Sequence, residues 1–487
     1  MRITSLQELV TTVNKDLGHS FCDEFRYKRK KLGQYSRASS SGILFKLNDP
    51  NRDWVINEGG GVEVQYHMYY RNDEIGYGLG FNAQYVPFAN DKSPVDYIRP
   101  FVDSILTICD NKDKRLEILE QNGFRFIDGN WNDLKNIQVG DYFLFGKTIK
   151  INNGVISDEE YKEMIECLKT SLYDLYIAIW EQKLRNDIID KTMKTYTQLL
   201  YSNRNIVLTG APGTGKTYLA KQIAQKMIFG EVKDQLTEVE QTQFNEQCGF
   251  VQFHPSYDYT DFVEGLRPRN DGNGNVGFER KDGVFKEFCK EALLESDKPF
   301  VFIIDEINRG EISKIFGELF FSIDPGYRGE KGIVQTQYQN MIEESDVFKR
   351  GFYVPENVYI IGTMNDIDRS VESMDFAMRR RFAWKEVTAE ESYEAMKDKM
   401  IHAEEVKTRM TALNDAICDE KLGLNKSYQI GAAYFLKLDE YDGDFDKLWE
   451  YHLRGLLSEY LRGNRDAEKQ LEQLKEAYDG NTESQNE

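Results

Sequence analysis

Apolar and polar residues alternate along residues 54–88, WVINEGGGVEVQYHMYYRNDEIGYGLGFNAQYVPF. The apolar face of this stretch carries Val62, Val64, Tyr66, Met68 and Tyr70. An alternation with period two predicts paired β-strands with one buried face, in the simplest case a hairpin. Together with the strand-like piece 141–151 and a helical segment near 94–122, it predicts an α+β domain over residues 1–155.

A helical pattern begins after Ser157, which is followed by acidic residues at 158–160. A hydroxyl residue followed three positions later by Glu is the capping-box pattern of a helix start. Apolar residues then recur at helical spacing, at Ile165, Leu168, Leu172, Leu175 and Ile179. The sequence therefore predicts one helix running to about Asp187, within a helical connector over residues 156–195.

The pattern changes again near residue 196, where short apolar stretches alternate with helical ones. This alternation is typical of an α/β domain with a parallel sheet, which we expect over residues 196–390. Beyond that point the pattern is helical, and a helical subdomain is predicted over residues 391–478. The polar tail 479–487 has the sequence DGNTESQNE. It has too little apolar surface to fold, and we expect it to be disordered.

The first candidate for chemistry is the stretch 205–217, NIVLTGAPGTGKT, in which an apolar strand leads into a phosphate-binding loop. Its glycines allow backbone amides to point at phosphates. Lys216 would neutralise the β and γ oxygens, and the Thr217 hydroxyl would bind Mg²⁺. The predicted nucleotide-binding residues are Gly210, Ala211, Pro212, Gly213, Thr214, Gly215, Lys216, Thr217 and Tyr218.

A second buried strand, 299–306 with the sequence PFVFIIDE, ends in two acids. This is the Walker B pattern. Asp305 would hold Mg²⁺ together with Thr217, and Glu306 would polarise the attacking water. Hydrolysis of the nucleotide, and not only its binding, is therefore predicted.

The stretch 362–370, GTMNDIDRS, allows two interpretations. Asn365 with Asp368 resembles the Asn-Lys-x-Asp element by which small GTPases read guanine, or else Asn365 senses the terminal phosphate. Asn365 ends a third buried strand, 357–365, which favours a catalytic role beside Glu306. We expect Asp368 to serve a subunit interface or a partner that completes the site.

Three consecutive arginines, Arg379, Arg380 and Arg381, follow at the end of a short helix predicted to begin near Ser373. One arginine there would be an ordinary surface residue. Three in an acidic chain suit an arginine finger that reaches the nucleotide of a neighbouring subunit.

Charge limits the partners of the chain as a whole. Its 62 basic and 82 acidic residues give a formal charge of -20, so no overall positive field attracts nucleic acid. A local run at 26–31, RYKRKK, is the candidate DNA contact, and its cations are Arg26, Lys28, Arg29, Lys30 and Lys31. The aromatic residues of 66–88 are candidates for stacking on a flipped base, although alternation assigns half of them to the core.

The six cysteines are scattered without a CxxC pair, and the five histidines show no ligand spacing with them. Free thiols in a reducing compartment are expected. No stretch approaches the length and apolarity of a membrane span, so we expect a soluble, cytoplasmic protein.

Five stretches carry a family resemblance: FHPSYDYTDFVEGLRP at 253–268, DGVFKEFC at 282–289, IIDEINRGEISKIFGEL at 303–319, VPENVYIIGTMNDIDRS at 354–370 and DFAMRRRF at 375–382. Together with the phosphate-binding loop, they resemble the AAA+ superfamily. The finer resemblance is to the McrB-like GTPase subunits of modification-dependent (McrBC-type) restriction systems. A further stretch, IGAAYF at 430–435, is similar to that family's helical lid.

The resemblance implies an α/β AAA+ P-loop NTPase core with a C-terminal helical lid, preceded by the α+β N-terminal domain. It also implies a ring, hexameric in the family, that hydrolyses GTP or ATP with Mg²⁺. The implied partners are DNA, in some members methylated, and a separate McrC-like nuclease subunit. By analogy alone, the N-terminal domain would recognise the target.

The chain departs from the family in two places. Asp366 and Ile367 stand where the family commonly has Thr and Ala, which adds a carboxylate beside the catalytic strand. Gln429 stands where an arginine precedes the Ile-Gly stretch, which puts a second sensor from the lid in doubt.

Two other functions compete with restriction. A MoxR-like AAA+ chaperone that remodels a protein client would share most of these catalytic residues. A binding module with an inactive NTPase is hardest to reconcile with Lys216, Asp305 and Glu306 all being in place.

Overall fold

The computed structural model describes residues 2–32, 43–47, 51–57, 63–83, 93–110, 114–233, 235–270, 276–367 and 376–480. The chain forms two compact units, Met1–Lys191 and Thr192–Glu487. Every helix in the described residues is too short or too polar to cross a lipid bilayer.

The first unit is built on an antiparallel sheet with the strand order β1-β2-β3-β4-β6-β5 in the described residues. Its strands are β1 Phe45–Lys46, β2 Trp54–Asn57, β3 Gln65–Arg71, β4 Glu74–Asn82, β5 Arg125–Asp128 and β6 Tyr142–Lys150. Its helices are α1 Leu6–Leu17, α2 His19–Lys31, α3 Pro94–Asp110, α4 Lys114–Gln121, α5 Trp131–Lys135, α6 Asp158–Lys169 and α7 Ser171–Asn203, the last of which continues into the second unit.

The predicted hairpin is present as β3 and β4. The two residues between these strands, Asn72 and Asp73, both have positive φ, as a two-residue turn that matches the twist of a hairpin requires. The predicted apolar face is buried at Val64, Tyr66 and Met68. Val62 lies outside the described residues.

The opposite face of β3 is also buried, which simple alternation does not predict. His67 and Tyr69 are almost fully covered. Tyr69 packs across the neighbouring strand, where a Cβ at Gly76 would lie 2.1 Å from its ring. The glycine thus makes room for an aromatic ring on the face that was expected to be exposed.

The segment predicted as a single connector helix is two helices. The capping box at Ser157 is confirmed, but α6 ends at Lys169 and α7 begins at Ser171, because Thr170 leaves helical geometry at φ -118°, ψ -93°. The apolar stripe through Trp180 belongs to the core of the first unit. The Tyr66 hydroxyl, for example, donates to the Leu168 carbonyl at 3.2 Å.

The second unit contains a parallel sheet with the order β13-β7-β12-β11-β8 in the described residues, and a separate hairpin of β9 and β10. Its strands are β7 Asn205–Thr209, β8 Cys248–Gln252, β9 Glu264–Asn270, β10 Val276–Asp282, β11 Phe300–Asp305, β12 Val358–Thr363 and β13 Ala383–Glu386. Its α-helices are α8 Lys216–Phe229, α9 Glu238–Gln247, α10 Tyr259–Phe262, α11 Val284–Leu294, α12 Ile312–Phe316, α13 Leu319–Ser322, α14 Phe376–Arg379, α15 Ala389–Met396, α16 Ala403–Ile417, α17 Phe445–Leu448, α18 Arg454–Tyr460 and α19 Ala467–Asp479.

Shorter turns of helix complete the second unit. Its 3₁₀ segments are Ile307–Arg309, Pro325–Tyr327, Gly329–Gly332, Gln339–Met341, Lys397–Lys399, Glu420–Leu422, Lys426–Tyr428 and Ala432–Tyr441, and a π-helical segment is Trp449–Leu453.

The sheet of the second unit positions the candidate site. Strand β12 is buried throughout, and β11 is buried up to Asp305, as parallel strands covered on both faces are. Strands β7, β11 and β12 are parallel neighbours, so their carboxyl ends lie at one edge, where ligands of open α/β sheets bind.

The helices from α15 to α19 form a subdomain with its own apolar core, including Val406, Leu413, Phe435, Leu453 and Tyr478. An α/β core with a C-terminal helical subdomain, preceded by helices and an antiparallel sheet, confirms the predicted fold class.

Candidate functional site

The phosphate-binding loop joins β7 to α8. Gly210, Gly213 and Gly215 have φ values of +147°, +75° and +76°, which L side chains rarely adopt. The Lys216 ammonium is buried and donates to the carbonyls of Gly210 and Ala211 at 3.1 and 2.9 Å. The loop therefore surrounds a cation at the start of a helix, where backbone amides and the helix dipole favour an anion.

The carboxyl end of β11 supplies oxygen ligands. Oδ1 of Asp305 accepts hydrogen bonds from the hydroxyls of Thr217 and Thr363, both at 2.6 Å. One carboxylate and one hydroxyl suit Mg²⁺, which keeps several waters and takes its other ligands from substrate phosphates. Asp305 and Thr217, which lie next to the loop, are the side chains that would hold such an ion.

Glu306 has φ +51° and ψ +46°, an unusual conformation for a residue with a side chain. Its backbone amide donates to the Thr363 hydroxyl at 3.2 Å. Its carboxylate Oε1 accepts from the Asn365 side-chain amide at 2.8 Å. The structure therefore brings together the candidate general base and the candidate sensor, which are far apart in the sequence.

A further charged group contacts Glu306. Nε of Arg309 donates to Oε2 of Glu306 at 3.2 Å. Arg309 was not among the site residues predicted from the sequence, although its spacing from Glu306 in EINR, three positions within one turn, was the available signal.

The rest of the stretch around Asn365 is only partly described. The amide of Asp366 donates to the Gly210 carbonyl at 3.3 Å, so this strand end is joined to the phosphate-binding loop. Burial raises the pKa of the Asp366 carboxyl, while nearby Lys216 opposes the rise. Asp368, a predicted catalytic residue, lies outside the described residues.

The three arginines differ in their surroundings. The Arg379 guanidinium stacks on the Trp384 ring at 4.9 Å. The Arg381 guanidinium lies over the Phe320 ring at 5.4 Å and donates to a backbone carbonyl at 2.5 Å. Arg380 is exposed, and its side chain makes no ion pair, hydrogen bond or ring contact with the part of the chain that the structure describes.

The helical subdomain binds the phosphate-binding loop directly. The amide of Gly431 donates to the Pro212 carbonyl, and the amide of Ala433 to the Gly213 carbonyl, both at 2.9 Å. The Tyr434 ring covers Gly213 so closely that a Cβ there would lie 2.4 Å from it. The lid segment thus contacts the loop through two backbone hydrogen bonds and one aromatic side chain.

The lid segment itself is fixed by Asn414, whose side chain bonds to both the amide and the carbonyl of Ile430, at 2.7 and 3.0 Å. The Gln429 side chain donates to the Cys418 sulfur at 3.7 Å, within the lid. In this structure, therefore, Gln429 does not extend to the loop.

The basic run in the first unit is not a uniform surface. Arg29 is only 3% exposed and pairs at 2.8 Å with Glu63, which is 5% exposed. Its predicted role as a DNA contact is wrong, because its guanidinium is buried and forms an ion pair with Glu63. Lys30 and Lys31 are exposed, Lys28 is half-buried, and Arg26 donates to the Ile43 carbonyl at 3.4 Å.

The candidate stacking aromatics are mostly core residues. Tyr66, Tyr77 and Phe81 are buried at 0, 0 and 2% exposure. They therefore offer no platform for a base. Tyr85 and Phe88 lie outside the described residues.

Comparison with known proteins gives two family matches. Residues 205–382 match the AAA domain of the dynein-related subfamily, and residues 405–469 match the McrB alpha-helical lid domain. Among solved structures, C. elegans PCH-2 is 16% identical, with coverage of 61% of this chain and 68% of that one, and its TM-score of 0.19 is too low to support an inference.

Two curated relatives are similar in sequence. The Type IV methyl-directed restriction enzyme EcoKMcrB subunit of Escherichia coli K12 is 37% identical over 276 residues, which cover 55% of this chain and 53% of the relative. The Type II restriction enzyme BsuMI component YdiS of Bacillus subtilis 168 is 25% identical over 230 residues, covering 42% and 63%. The matches thus span about half to two thirds of these relatives. The chain is therefore McrB-like within residues 205–469, where an AAA domain is followed by an McrB-type helical lid.

Proposed function

We propose that the chain is the GTP-hydrolysing, ring-forming motor subunit of an McrBC-like restriction system, with ATP as the alternative nucleotide. The observation that supports the proposal is that three groups of residues lie together at one edge of the sheet. These are the phosphate-binding loop with Lys216, the Asp305–Thr217 pair, and Glu306 held by Asn365. The McrB-type lid on the loop connects this site to restriction, as does the name of the E. coli relative.

Each side chain has a defined task in the proposed reaction. Lys216 and the loop amides bind the phosphates, and Asp305 with Thr217 would hold Mg²⁺, which neutralises charge on the β and γ phosphates. Glu306 takes a proton from the attacking water, while Asn365 keeps that carboxylate in place. The side chain of Arg380 is exposed and makes no ion pair, hydrogen bond or ring contact in the described residues. We propose Arg380 as the arginine finger that reaches the nucleotide of a neighbouring subunit. The ring that these subunits form is proposed to be hexameric.

We propose that residues 1–155 recognise target DNA and that residues 196–390 and 391–478 form the motor core and lid. Residues 156–195, whose apolar stripe packs in the core of the first unit, would connect the two. The proposed DNA contacts are Lys28, Lys30 and Lys31, with Arg26 at the edge. A separate McrC-like nuclease subunit would cut the DNA.

The test is hydrolysis of GTP and of ATP by the purified chain, alone and with the McrC-like subunit of the same genome. We expect GTP to be preferred and the partner to increase kcat. Lys216→Ala should abolish nucleotide binding, and Glu306→Gln should bind nucleotide but reduce hydrolysis by about 10² to 10⁴-fold.

Two results would contradict the proposal. Preference for ATP without stimulation by a nuclease subunit would favour the MoxR-like remodeller. Cleavage of DNA by the purified chain with Mg²⁺ and no partner would disprove the division of labour between motor and nuclease.

A further inference from the structure

The carboxylate of Glu306 is held from two sides. Asn365, at the end of the neighbouring strand β12, donates to Oε1 at 2.8 Å, and Arg309 donates to Oε2 at 3.2 Å. Each of the two carboxylate oxygens of Glu306 therefore accepts from a different side chain. Two donors on different oxygens restrict rotation of the carboxylate about its last bond, which one donor does not.

The turn that carries Arg309 is itself firmly fixed. Ile307 is fully buried, and a Cβ on Gly362 of β12 would lie 2.9 Å from its Cδ1 atom. The Arg309 amide donates to the Glu306 carbonyl at 2.8 Å. The guanidinium thus projects from a rigid turn, while about half of its side chain remains exposed (48%).

The backbone of Glu306 gives a reason for a second restraint. Its left-handed conformation costs free energy for a residue with a Cβ, and such strain persists only where neighbouring contacts fix it. The amide is fixed by the Thr363 hydroxyl at 3.2 Å. The side chain beyond it is long enough to adopt several rotamers, and the charge of Arg309 selects among them.

We propose that Arg309 is a positioning residue, which holds the Glu306 carboxylate in the orientation needed to accept the proton of the attacking water. The inference rests on the proposed function, since it assumes that Glu306 is the base. Arg309 contacts the proposed base, and no catalytic step passes through it.

The test compares steady-state hydrolysis by wild type, Arg309→Ala and Arg309→Lys, with whichever of GTP and ATP the wild type hydrolyses. A misoriented base slows chemistry without weakening binding. We therefore expect Arg309→Ala to lower kcat by about ten- to a hundredfold with little change in KM. Added guanidinium should restore part of the kcat of Arg309→Ala. The kcat of Arg309→Lys should lie between those of wild type and Arg309→Ala.

The matched control is Lys314→Ala, which removes an exposed ion pair of the same i,i+3 spacing, that of Lys314 with Glu311. We expect wild-type kcat and KM for this variant. Binding of a fluorescent nucleotide to Arg309→Ala, measured separately, shows whether the phosphate-binding loop is intact.

The inference is overturned if Arg309→Ala retains wild-type kcat, or if its loss of activity is matched by lost nucleotide binding and is unaffected by guanidinium. It is also overturned if mixing Arg309→Ala with Glu306→Gln chains restores hydrolysis, because Arg309 would then act on a neighbouring subunit. A wild type that prefers ATP would contradict the GTP assignment alone and would leave the role of Arg309 testable with ATP.

Discussion

Arg29 shows how a single residue is reassigned by its surroundings. In the sequence it is one of five cations in a short basic run, yet its guanidinium and the Glu63 carboxylate are both buried and lie 2.8 Å apart. Removing one partner of such a pair leaves an uncompensated charge in the interior, which costs far more than the pair itself contributes. The neighbouring Lys30 has no such constraint, because it is exposed.

We predict that Arg29→Ala destabilises the first unit by about 3–5 kcal/mol, because Glu63 is left buried without its cation. Lys30→Ala should change stability by less than about 0.5 kcal/mol, as exposed substitutions do. Hydrogen exchange of peptides that cover α2 and β3 measures both. Equal protection in the two variants would show that the ion pair contributes nothing to this unit.

At the scale of elements, the lid segment 430–435 and the phosphate-binding loop contact each other through backbone atoms. Two amides of the segment donate to carbonyls of the loop, at Pro212 and Gly213. A Cβ on Gly431 would lie 2.2 Å from the Gly213 carbonyl carbon, so a glycine is required at this position by space. The position of the lid therefore affects the conformation of the phosphate-binding loop through these main-chain contacts.

We predict that Gly431→Ala weakens nucleotide affinity roughly tenfold, because the methyl group forces the lid and the loop apart and overpacking costs about 1–3 kcal/mol. Titration with a fluorescent nucleotide measures the effect. Gly455→Ala, in helix α18 of the same lid, is the control, because its Cβ would meet no atom within 4 Å. Unchanged affinity in Gly431→Ala would mean that the lid moves freely away from the loop.

At the scale of the whole molecule, none of the three arginines 379–381 contacts Lys216, Asp305 or Glu306 of the same chain in the described residues. Arg379 and Arg381 contact aromatic rings of their own chain, whereas the exposed side chain of Arg380 makes no such contact in the described residues. A cation that acts on the γ-phosphate from a neighbouring chain would make hydrolysis depend on assembly. This is the expected behaviour of the proposed ring.

We predict that Arg380→Ala binds nucleotide normally but hydrolyses it at least about 10²-fold more slowly, since an arginine finger contributes about 10³ to 10⁵ in kcat. Arg379→Ala should have a smaller effect. Mixing Arg380→Ala with Glu306→Gln chains should restore some hydrolysis, because a competent Glu306 then meets a competent arginine across an interface. Wild-type hydrolysis by Arg380→Ala alone would rule out this finger.

The sequence by itself determined the phosphate-binding loop, the acidic end of β11 and the α/β class of the second unit. Each depends on residue types at fixed spacing in one continuous stretch, such as the glycines before Lys216 or the apolar run before Asp305. Local chemistry sets these features, so the linear order of residues was sufficient to predict them.

Only the tertiary structure decided which side chains meet. In the folded chain, Asn365 and Arg309 donate hydrogen bonds to Glu306, and Tyr434 of the lid packs against Gly213. Arg29 is buried in an ion pair with Glu63. The tertiary structure also ended α6 at Lys169, where periodicity predicts a continuous helix. A sequence shows which residues are charged or aromatic. Whether such a side chain faces water or a buried partner depends on the packing of segments that are distant along the chain.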